Sequence, residues 1–382
     1  MTPAEAGRSA DLLVIGGGIH GCSTAFHAAQ RGLKVIVIEK DSVARHASGV
    51  NAGGVRRLGR ALPEIAISER SMQIWYGIAD LLDDDCGFQV APQIKVCETE
   101  DELDRMRARA ASVRAMGFGH EVILDQAELR SYLPAVAPHA VGALASLRDG
   151  FAQPYRTTFA FQRKAQSLGV RFHEGLAAQR VSREGRDWIV DTAEGRFRAP
   201  VLLNAAGAWG GEIAAQLGEH APVEAIAPMM IVTARLPHFC DAVVGAAGRP
   251  LSFKQMPNGT VVIGGGIRGN ADPRTNLSEI LFPALQRTAE TAADLFPIMR
   301  GATIVRSWSG VEGRMPDDIP VIGPSARHEG LFHEFGFSAH GFQMGPGTGA
   351  IMAELIATGQ TDAPLAPFSI ARFASPTASA TH

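Results

Sequence analysis

Two stretches of the chain, residues 14–21 and 262–269, carry the same glycine phrase, Val-Ile-Gly-Gly-Gly-Ile-X-Gly. Both match the pattern G-x-G-x-x-G, in which side-chain-free backbone can approach the phosphates of a dinucleotide. Only the first copy has the context that gives this pattern a physical meaning. An apolar run at residues 12–15 predicts a buried strand before it, and the small residues 22–31 predict a helix after it.

Three glycines of the first copy, and an acidic residue that follows it, have expected roles in binding a dinucleotide. Gly16 permits the tight turn, Gly18 lets a pyrophosphate approach the backbone, and Gly21 lets the helix pack closely on the strand. The unpaired N–H groups at the start of the helix point at the phosphates. Glu39 ends the second predicted strand, residues 34–38, and is placed to accept hydrogen bonds from an adenosine ribose.

The second copy lacks this context. It is followed by Asn270, Asp272 and Pro273, so no amphipathic helix begins there. The residues before it predict a strand that leaves a turn at Asn258-Gly259. We therefore expect a strand end and a loop, and not a second nucleotide site.

Composition and charge exclude several classes of protein. The chain has 382 residues, a net charge of −3 and no basic stripe, which argues against nucleic acid as a partner. No apolar run reaches the length of a membrane span, and residues 1–8 carry no signal-peptide core. The four cysteines show no C-x-x-C spacing, so neither a zinc site nor any other metal site is expected. These features predict a cytoplasmic protein.

The order of the elements predicts an α/β chain of two domains. Nucleotide-type elements occur at the start, near residues 150–210 and near 320–357, with strand-rich stretches between them. The boundaries expected from this order are residues 9–87, 150–221 and 302–368 for the nucleotide domain, 88–149 and 222–301 for the substrate domain, and 1–8 and 374–382 for flexible ends. Helices are predicted at residues 276–296 and 350–357, a polar binding loop at 45–54, and an exposed strand lysine at Lys254.

Several further motifs stand in a specific order along nearly the whole chain: residues 47–54, 153–155, 204–209, 317–323 and 336–349. With the first glycine motif and Glu39, they resemble the FAD-dependent amine and amino-acid oxidoreductases of the D-amino-acid oxidase, glycine oxidase and sarcosine oxidase type. The chain is most similar to the β-type catalytic subunits of sarcosine, opine and hydroxyproline oxidases and dehydrogenases. The resemblance implies a discontinuous Rossmann-like FAD-binding domain of the glutathione-reductase type. It also implies an inserted α+β substrate domain on an antiparallel sheet.

The resemblance assigns the cofactor contacts. Residues expected to line FAD, besides the three glycines and Glu39, are Ile15, Ile19, His20, Lys40, His46, Ser48, Asn51, Ala52, Gly53, Gly54, Ala206, Gly207, Trp209, Gly310, Gly341, Phe342, Gln343 and Met344. Related enzymes with covalent flavin use a His or a Cys. Asn51 occupies one such position and no Cys lies near residues 310–320, so noncovalent FAD is predicted, although the nearby His46 keeps a covalent link open.

The resemblance also implies oxidation of a carbon–nitrogen bond by hydride transfer to flavin N5, which gives an imine. The arginine that holds the substrate carboxylate in such enzymes falls on Glu312 here, and a second one falls on Ala339. Glu312 is therefore expected to face a cationic part of the substrate, or other residues replace the clamp. The candidates for the substrate site are His340, Glu312, Arg314, Tyr155 and Arg57, with Arg306 as a further cation. Lys254 would lie on the floor of the same pocket and assist oxygen activation, unless it is the exposed strand lysine predicted above.

The leading hypothesis is an FAD-dependent amine or amino-acid oxidase or dehydrogenase acting on a small secondary, N-substituted or D-amino acid. Oxygen or a partner subunit or electron carrier would take the electrons, in a homo- or hetero-oligomer. A 2-hydroxy-acid or polyol dehydrogenase on the same fold is one alternative. A subunit that serves mainly in assembly and passes electrons to partner chains is another, and a tRNA-modifying oxidase is a weaker third because the basic surface is missing.

Overall fold

The computed structural model of the chain describes residues 8–374. Over these residues the chain forms two compact units, each assembled from separate stretches of sequence. The first unit holds residues 8–45, Thr158–Ala225 and 312–374, and the second holds His46–Thr157 and Ile226–Val311. The predicted flexible ends lie outside the described residues, apart from Arg8 and Ala374. No helix within the described part has the length and apolar character that crossing a bilayer requires.

The strands of the described residues are, in chain order, β1 (Leu12–Ile15), β2 (Val35–Ile38), β3 (Gly54–Val55), β4 (Gln89–Val90), β5 (Gln93–Cys97), β6 (Val122–Leu124), β7 (Gly142–Ser146), β8 (Gly150–Phe151), β9 (Arg171–His173), β10 (Arg180–Glu184), β11 (Asp187–Thr192), β12 (Gly195–Ala199), β13 (Val201–Asn204), β14 (Glu224–Thr233), β15 (Val243–Ala246), β16 (Ser252–Gln255), β17 (Val261–Gly264), β18 (Arg268–Asp272), β19 (Leu277–Glu279), β20 (Ile304–Ser309), β21 (Glu312–Arg314), β22 (Val321–Pro324) and β23 (Leu331–Phe335).

The α-helices of the same residues are α1 (Ile19–Gln30), α2 (Ala47–Val50), α3 (Ile65–Tyr76), α4 (Ile78–Leu82), α5 (Glu100–Ala115), α6 (Gln126–Tyr132), α7 (Pro154–Ser167), α8 (Gly210–Gln216), α9 (Phe282–Leu295) and α10 (Gly341–Thr358). Short 3₁₀ segments add Leu62–Glu64, Gly207–Trp209, Pro297–Gly301, Ala366–Phe368 and Ile370–Phe373.

The first unit is built on a sheet of order β22-β23-β13-β1-β2-β9. Its strands are parallel except β22, which runs antiparallel to β23. All four residues of β1 are buried, because a central parallel strand is covered on both faces and needs apolar side chains on each. The predicted succession of strand, helix and strand is confirmed as β1, α1 and β2. An antiparallel sheet, β10-β11-β12, contributes Val190 and Phe197 to the same core.

Helix α10 begins nine residues earlier than predicted, at Gly341 instead of residue 350. Glycine-rich sequence favours a loop by intrinsic propensity, and Pro346 lies inside the helix. The reason for the helix is its close contact with α1. An ideal Cβ on Gly345 would lie 2.6 Å from Cγ1 of Ile19, and one on Gly349 would lie 2.2 Å from Oγ of Ser23. Tertiary packing that only glycine allows therefore outweighs propensity here.

The second unit is built on a large sheet of order β19-β18-β14-β17-β16-β15-β5-β7-β6, in which β14 belongs to the unit from Ile226 onward. Neighbouring strands are antiparallel except β15 and β5, and β20 lies antiparallel to β14. Helix α9 closes the core of this unit beside Phe253 and Phe296, whose ring centroids are 4.6 Å apart. The predicted α+β unit on an antiparallel sheet is confirmed.

The second glycine phrase ends a strand, as predicted. Strand β17 runs into a turn at Gly265 and Gly266, which have φ of +119° and +90°, and β18 follows. The helix expected at residues 276–296 is wrong in its first turn, because Leu277–Glu279 forms β19 and pairs with β18. The helix itself starts only at Phe282.

The observed units divide the chain differently from the expected boundaries. Residues 46–87 were assigned to the nucleotide domain and residues 302–311 with them, but both lie in the second unit. Hydrogen bonds explain the first difference. The backbone N–H groups of Arg57 and Leu58 donate to the Asp149 carboxylate, and that of Gly59 donates to Glu121. The second difference arises because β20 pairs with β14.

Candidate active site

The first glycine motif has a geometry that other residues could not adopt. Gly16 has a φ of +114°, and an ideal Cβ on it would lie 2.4 Å from the Ala205 carbonyl oxygen. An ideal Cβ on Gly21 would lie 2.0 Å from the Gly16 carbonyl oxygen. Gly18 is the N-cap of α1, and the first turn of that helix contains no acidic residue. The positive end of α1 is therefore not neutralised by an acidic side chain of its own first turn.

Glu39 lies at the end of β2 and is 8% exposed. Its Oε2 accepts the Gly17 N–H at 2.6 Å, and its Oε1 accepts the Asp41 N–H at 2.8 Å. Burial raises the pKa of Glu39, and these two hydrogen bonds act in the opposite direction. Beside it, the Lys40 ammonium pairs with Asp41 at 2.7 Å and lies 3.8 Å from the ring centroid of Trp209. The predicted contacts Glu39, Lys40 and Trp209 are thus brought to one end of the sheet.

His20 joins the first turns of α1 and α10. Its ring stacks on Phe337 with centroids 3.6 Å apart, and its Nδ1 lies 3.0 Å from Oγ1 of Thr348. Its Nε2 would be 2.9 Å from an ideal Cβ on Gly341, so a side chain at Gly341 is excluded. Gly341 begins α10, and its successors Phe342, Gln343 and Met344 are buried. The predicted residues 341–344 form the first turn of a helix with no acidic residue there.

A buried chain of hydrogen bonds through Asn204, His333 and Glu219, called the relay below, holds the backbone next to Gly207 in place. The sequence did not reveal it. Asn204 donates to the Gly210 carbonyl at 2.8 Å and its Oδ1 accepts the Ala206 N–H at 3.3 Å. Nδ1 of His333 lies 3.3 Å from the Asn204 amide, and Nε2 of His333 lies 2.9 Å from a Glu219 oxygen. Glu219 and His333 are 114 residues apart in sequence, so no local pattern could link them.

The predicted binding loop at residues 45–54 belongs to the second unit from His46 onward. It contains the short helix α2, of which His46 is the N-cap and Ser48 the second residue. The side chain of Asn51 closes the loop after Ser48. Its amide donates to the Ala47 carbonyl at 2.9 Å, and its oxygen accepts the Gly53 N–H at 2.8 Å. Ala52 lies inside the turn that Asn51 closes.

Two glycines of the second unit are kept free of side chains by their neighbours. Gly53 has a φ of +73°, and an ideal Cβ on it would lie 2.2 Å from the Ala152 carbonyl oxygen. Gly310 has the same restriction, since an ideal Cβ would lie 2.2 Å from Cγ2 of Val50. Gly54, which begins β3, is less confined: among the described residues, the nearest atom to an ideal Cβ on it would be the Gln93 amide nitrogen at 4.0 Å.

Arg57 does not have the surroundings of a free carboxylate clamp. It is 7% exposed, and its Nε donates to Asp149 at 2.9 Å. One terminal nitrogen donates to Glu69 at 2.7 Å, and the other lies 3.3 Å from the Tyr76 hydroxyl. The guanidinium is thus neutralised by two carboxylates of its own unit, and a role for Arg57 at the substrate stays a prediction.

Glu312 and Arg314 are not paired with each other. Glu312 accepts the Ala339 N–H at 2.7 Å, and Ala339 has a φ of +65°. Arg314 pairs with Asp318 at 2.7 Å and with Glu224 at 3.3 Å. One oxygen of Glu312 therefore fixes the backbone just before His340, and Arg314 is held by acids of the first unit.

The other substrate candidates differ in burial. His340 is the N-cap of α10, and its Nδ1 lies 2.9 Å from the Ser338 carbonyl. Tyr155, in the first turn of α7, is 58% exposed. Arg306 is exposed on β20. Lys254 on β16, expected to be an exposed strand residue, is only 5% exposed, so that expectation is wrong. Its position on a strand between two buried strands explains the burial.

A metal centre is not evident in the described part of the chain, where no three His, Cys, Asp or Glu side chains are grouped to hold an ion. All four cysteines are free and buried.

Comparison with known proteins identifies the family. Residues 11–355 match the family described as "DAO: FAD dependent oxidoreductase". The chain belongs to this family. FAD is the family's cofactor, and the first unit fits it, since it has two helix N-termini without acidic residues in their first turns, the glycine positions that a Cβ would block, and the buried carboxylate of Glu39.

Three relatives align with this chain over most of both sequences. Hydrogen cyanide synthase subunit HcnC of Pseudomonas aeruginosa is 25% identical over 96% of this chain and 97% of the relative. Glycine oxidase of Geobacillus kaustophilus is 26% identical over 95% and 97%. Its crystal structure superposes with a TM-score of 0.88, at 24% identity, over 96% of this chain and 100% of the other. Sarcosine oxidase subunit beta of Rhizobium meliloti is 26% identical over 95% and 88%.

Proposed function

We propose that this DAO-family oxidoreductase oxidises the carbon–nitrogen bond of a small amino acid to an imine. The substrate class we propose is a secondary amine, an N-substituted amino acid or a D-amino acid. The observation that carries the proposal is the match to the FAD-dependent family over residues 11–355. It is supported by the full-length similarity to proteins named for oxidation of glycine and sarcosine.

The residues proposed to hold FAD are those whose geometry suits each of its parts. The N–H groups at the start of α1 would bind the pyrophosphate, and Glu39 would accept a ribose hydroxyl with the lone pairs that its backbone contacts leave. The first turn of α10, residues 341–344, would offer N–H groups to the pyrimidine side of the ring. When bound, FAD supplies the hydride acceptor, so the chain's own task is binding and orientation.

We propose that FAD is bound without a covalent link. Both polar groups of the Asn51 side chain are used in closing its loop, and a carboxamide does not form the link that a His or Cys makes. All four cysteines are buried, and the pKa values of Cys22, Cys86, Cys97 and Cys240 are raised by burial, which disfavours the reactive thiolate. Denaturing the protein with acid should release all of its flavin into the supernatant.

The proposed substrate contacts are fewer than the sequence suggested. Arg57 and Arg314 are each neutralised by two carboxylates, so they are weak candidates for the substrate carboxylate. Glu312 accepts the Ala339 N–H at 2.7 Å, and we propose that its carboxylate also faces a cationic part of the substrate. If Glu312→Gln leaves both the Michaelis constant and kcat unchanged, this part of the proposal is wrong.

One experiment tests the reaction class. Anaerobic holoenzyme is mixed with D-amino acids, N-methyl amino acids, opines, hydroxyprolines and 2-hydroxy acids, and flavin bleaching is followed. We expect an amine to bleach the flavin. Bleaching by 2-hydroxy acids alone would support the dehydrogenase alternative, and bleaching by none would overturn the proposal.

The electron acceptor and oligomeric state belong to the same proposal. Two of the relatives are named as subunits of larger enzymes, which supports a second candidate, a catalytic subunit that passes electrons to a partner chain. Admitting air after bleaching separates the two cases. Rapid return of the flavin colour indicates an oxidase, and slow return indicates that another protein or carrier takes the electrons. A cytoplasmic location stays a prediction.

A further inference from the structure

Lys254 is a buried amine for which residues 8–374 supply no counter-charge. It is 5% exposed, and its Nζ lies 4.4 Å from the ring centroid of Phe151. Among residues 8–374, no carboxylate contributes to its electrostatic surroundings. Buried cationic side chains are normally paired with acids, because an isolated buried charge is costly. Arg57 of the same unit is paired in this way with Asp149. The missing partner therefore requires a different explanation.

The described contacts of Lys254 are with residues that do not titrate. Its strand partners are Val243 on β15 and Val262 on β17. On the side of Nζ, Phe151 offers its ring, and an ideal Cβ on Gly53 would lie 3.2 Å from Nζ. The amine is thus held against the loop of residues 51–54, whose members are among the predicted FAD contacts. Because Gly53 is a glycine, no side chain from that position covers the nitrogen.

Burial without a partner changes the protonation of this amine. It lowers the pKa of Lys254 to about 7, so a large fraction of Nζ is uncharged at neutral pH. An uncharged amine has a lone pair that can accept a proton. Proton acceptors work best when their pKa lies near the working pH.

We propose that Lys254 accepts the proton that a substrate ammonium must lose before its carbon–hydrogen bond can be broken. This inference rests on the proposed function and adds a catalytic residue to it. In the step, a substrate N–H bond breaks and its electron pair stays on the substrate nitrogen, while a new N–H bond forms at Nζ. One positive charge moves from the substrate to the lysine, and no electrons enter or leave either molecule.

Two substitutions and one matched control test the proposal. Lys254→Met removes the amine without adding a polar group, and Lys254→Arg keeps a positive charge but cannot accept a proton. Lys95→Met is the control, because Lys95 lies on β5 of the same sheet and its pKa is also lowered, by burial and by Arg56 and Arg109. FAD content and unfolding temperature show whether each variant is folded.

The measurement is the second-order rate constant for anaerobic flavin bleaching between pH 5.5 and 10, with the best amine of the panel. For the wild-type enzyme we expect it to rise about tenfold per pH unit and to level off near pH 7, as for a single proton acceptor. Both Lys254 variants should lose this inflection and fall by about 100-fold at pH 7. The control should keep the wild-type profile.

Several results would overturn the proposal. It is wrong if Lys254→Met keeps the inflection, if it raises only the dissociation constant of the substrate, or if it slows only the reaction with oxygen. Should no amine bleach the wild-type flavin, the proposed function fails and the role of Lys254 falls with it. If the wild type is bleached and the variants behave like the control, only the role of Lys254 falls.

A second measurement needs no turnover and uses the apoprotein. The pKa of Lys254 is about 7 in the fold and has a reference value of 10.5, so between these values the unfolded chain binds more protons. The stability of the wild type relative to Lys254→Met should therefore be lowest below pH 7 and rise towards pH 10. The urea midpoints of the two proteins should converge over that range. A difference that does not change with pH would overturn the proposal.

Discussion

Buried charged side chains in this chain fall into two groups, according to whether a protein group neutralises them. Arg57 is held by Asp149 and Glu69, and Glu219 is held by His333. Lys254 has no such partner in the part of the chain that the structure describes. A paired group stabilises the fold only while both partners remain, whereas an unpaired one is free to exchange a proton or bind a ligand. Substitution of a paired group is therefore expected to change the stability of the fold, whereas substitution of the unpaired Lys254 is expected to change the reaction.

Glu219 should make stability depend on pH. Burial alone would raise its pKa, but hydrogen bonds from His333 and Ser325 outweigh burial and lower the pKa to about 2. The carboxylate thus contributes stability above about pH 4.5 that is lost as the pH falls towards 2. We expect Glu219→Gln to lower the free energy of unfolding at pH 7 by about 2–3 kcal/mol.

Urea unfolding at pH 7, 5 and 3 checks this prediction, and the difference from the wild type should shrink at pH 3. The exposed Glu212→Gln is the control, with an expected change within about 0.5 kcal/mol. A difference that stays constant down to pH 3 would show that the carboxylate is not stabilised by the relay.

Arg57 provides a second prediction at this scale. Arg57→Met leaves Asp149, which is fully buried, without its cation, and should cost about 3–5 kcal/mol. The Michaelis constant of the substrate should stay within about twofold in the folded fraction, because the guanidinium is already engaged. Chemical denaturation and steady-state kinetics give the two numbers. A large rise in the Michaelis constant with little loss of stability would restore Arg57 as a substrate clamp.

At the scale of elements, the contact of α1 with α10 determines where the cofactor's N–H donors lie. Both helices begin at glycine-rich segments, and His20 of α1 contacts the start of α10 at Gly341. The contact continues one and two turns later, where Gly345 meets Ile19 and Gly349 meets Ser23. The spacing of these glycines lets two backbones approach closely, so the positive ends of both helices are held in one place.

Gly349→Ala tests this contact. By intrinsic propensity the change should favour the helix by about 1 kcal/mol. We expect it instead to destabilise the protein by about 1–3 kcal/mol, because the new Cβ would meet Ser23. Thermal unfolding gives the change. Gly119→Ala, at a position with open space around it, should have little effect, and a stabilised Gly349→Ala protein would show that α1 and α10 are not in close contact.

At the scale of the whole molecule, each unit is assembled from distant stretches of the chain. The first unit brings together β1, β13 and β23, whose residues come from three separate parts of the sequence. Its core is therefore completed only when the last part of the chain has joined. A bound dinucleotide contacts several of these stretches in the proposed function, so binding should stabilise the unit as a whole.

FAD should accordingly raise the unfolding temperature in a concentration-dependent way. A ligand present at 100 times its Kd stabilises the native state by about 2.7 kcal/mol. We expect apoprotein to unfold at a lower temperature than holoenzyme, and FMN, which lacks the adenosine proposed to meet Glu39, to raise it less than FAD. Calorimetry with a series of FAD concentrations provides the measurement. Flavin that stays with the denatured chain, with no dependence on added FAD, would indicate a covalent link.

The sequence alone was enough for the features that depend on neighbouring residues. The strand, glycine turn and helix at residues 12–30 follow from local pattern, and so does the contrast with residues 262–269, where Pro273 excludes a helix. The order of motifs along the chain was enough for the family, which the match over residues 11–355 confirms. These properties depend either on neighbouring residues or on the order of motifs along the chain.

The tertiary structure decided what depends on residues far apart. It turned residues 341–349 into helix through contact with α1, moved residues 46–87 into the second unit through Asp149 and Glu121, and neutralised Arg57. It also buried Lys254, which sequence alone could not separate from an exposed strand lysine. The physical reason is the same in each case. Burial and ion pairing depend on distance in space, and distance along the chain does not report it.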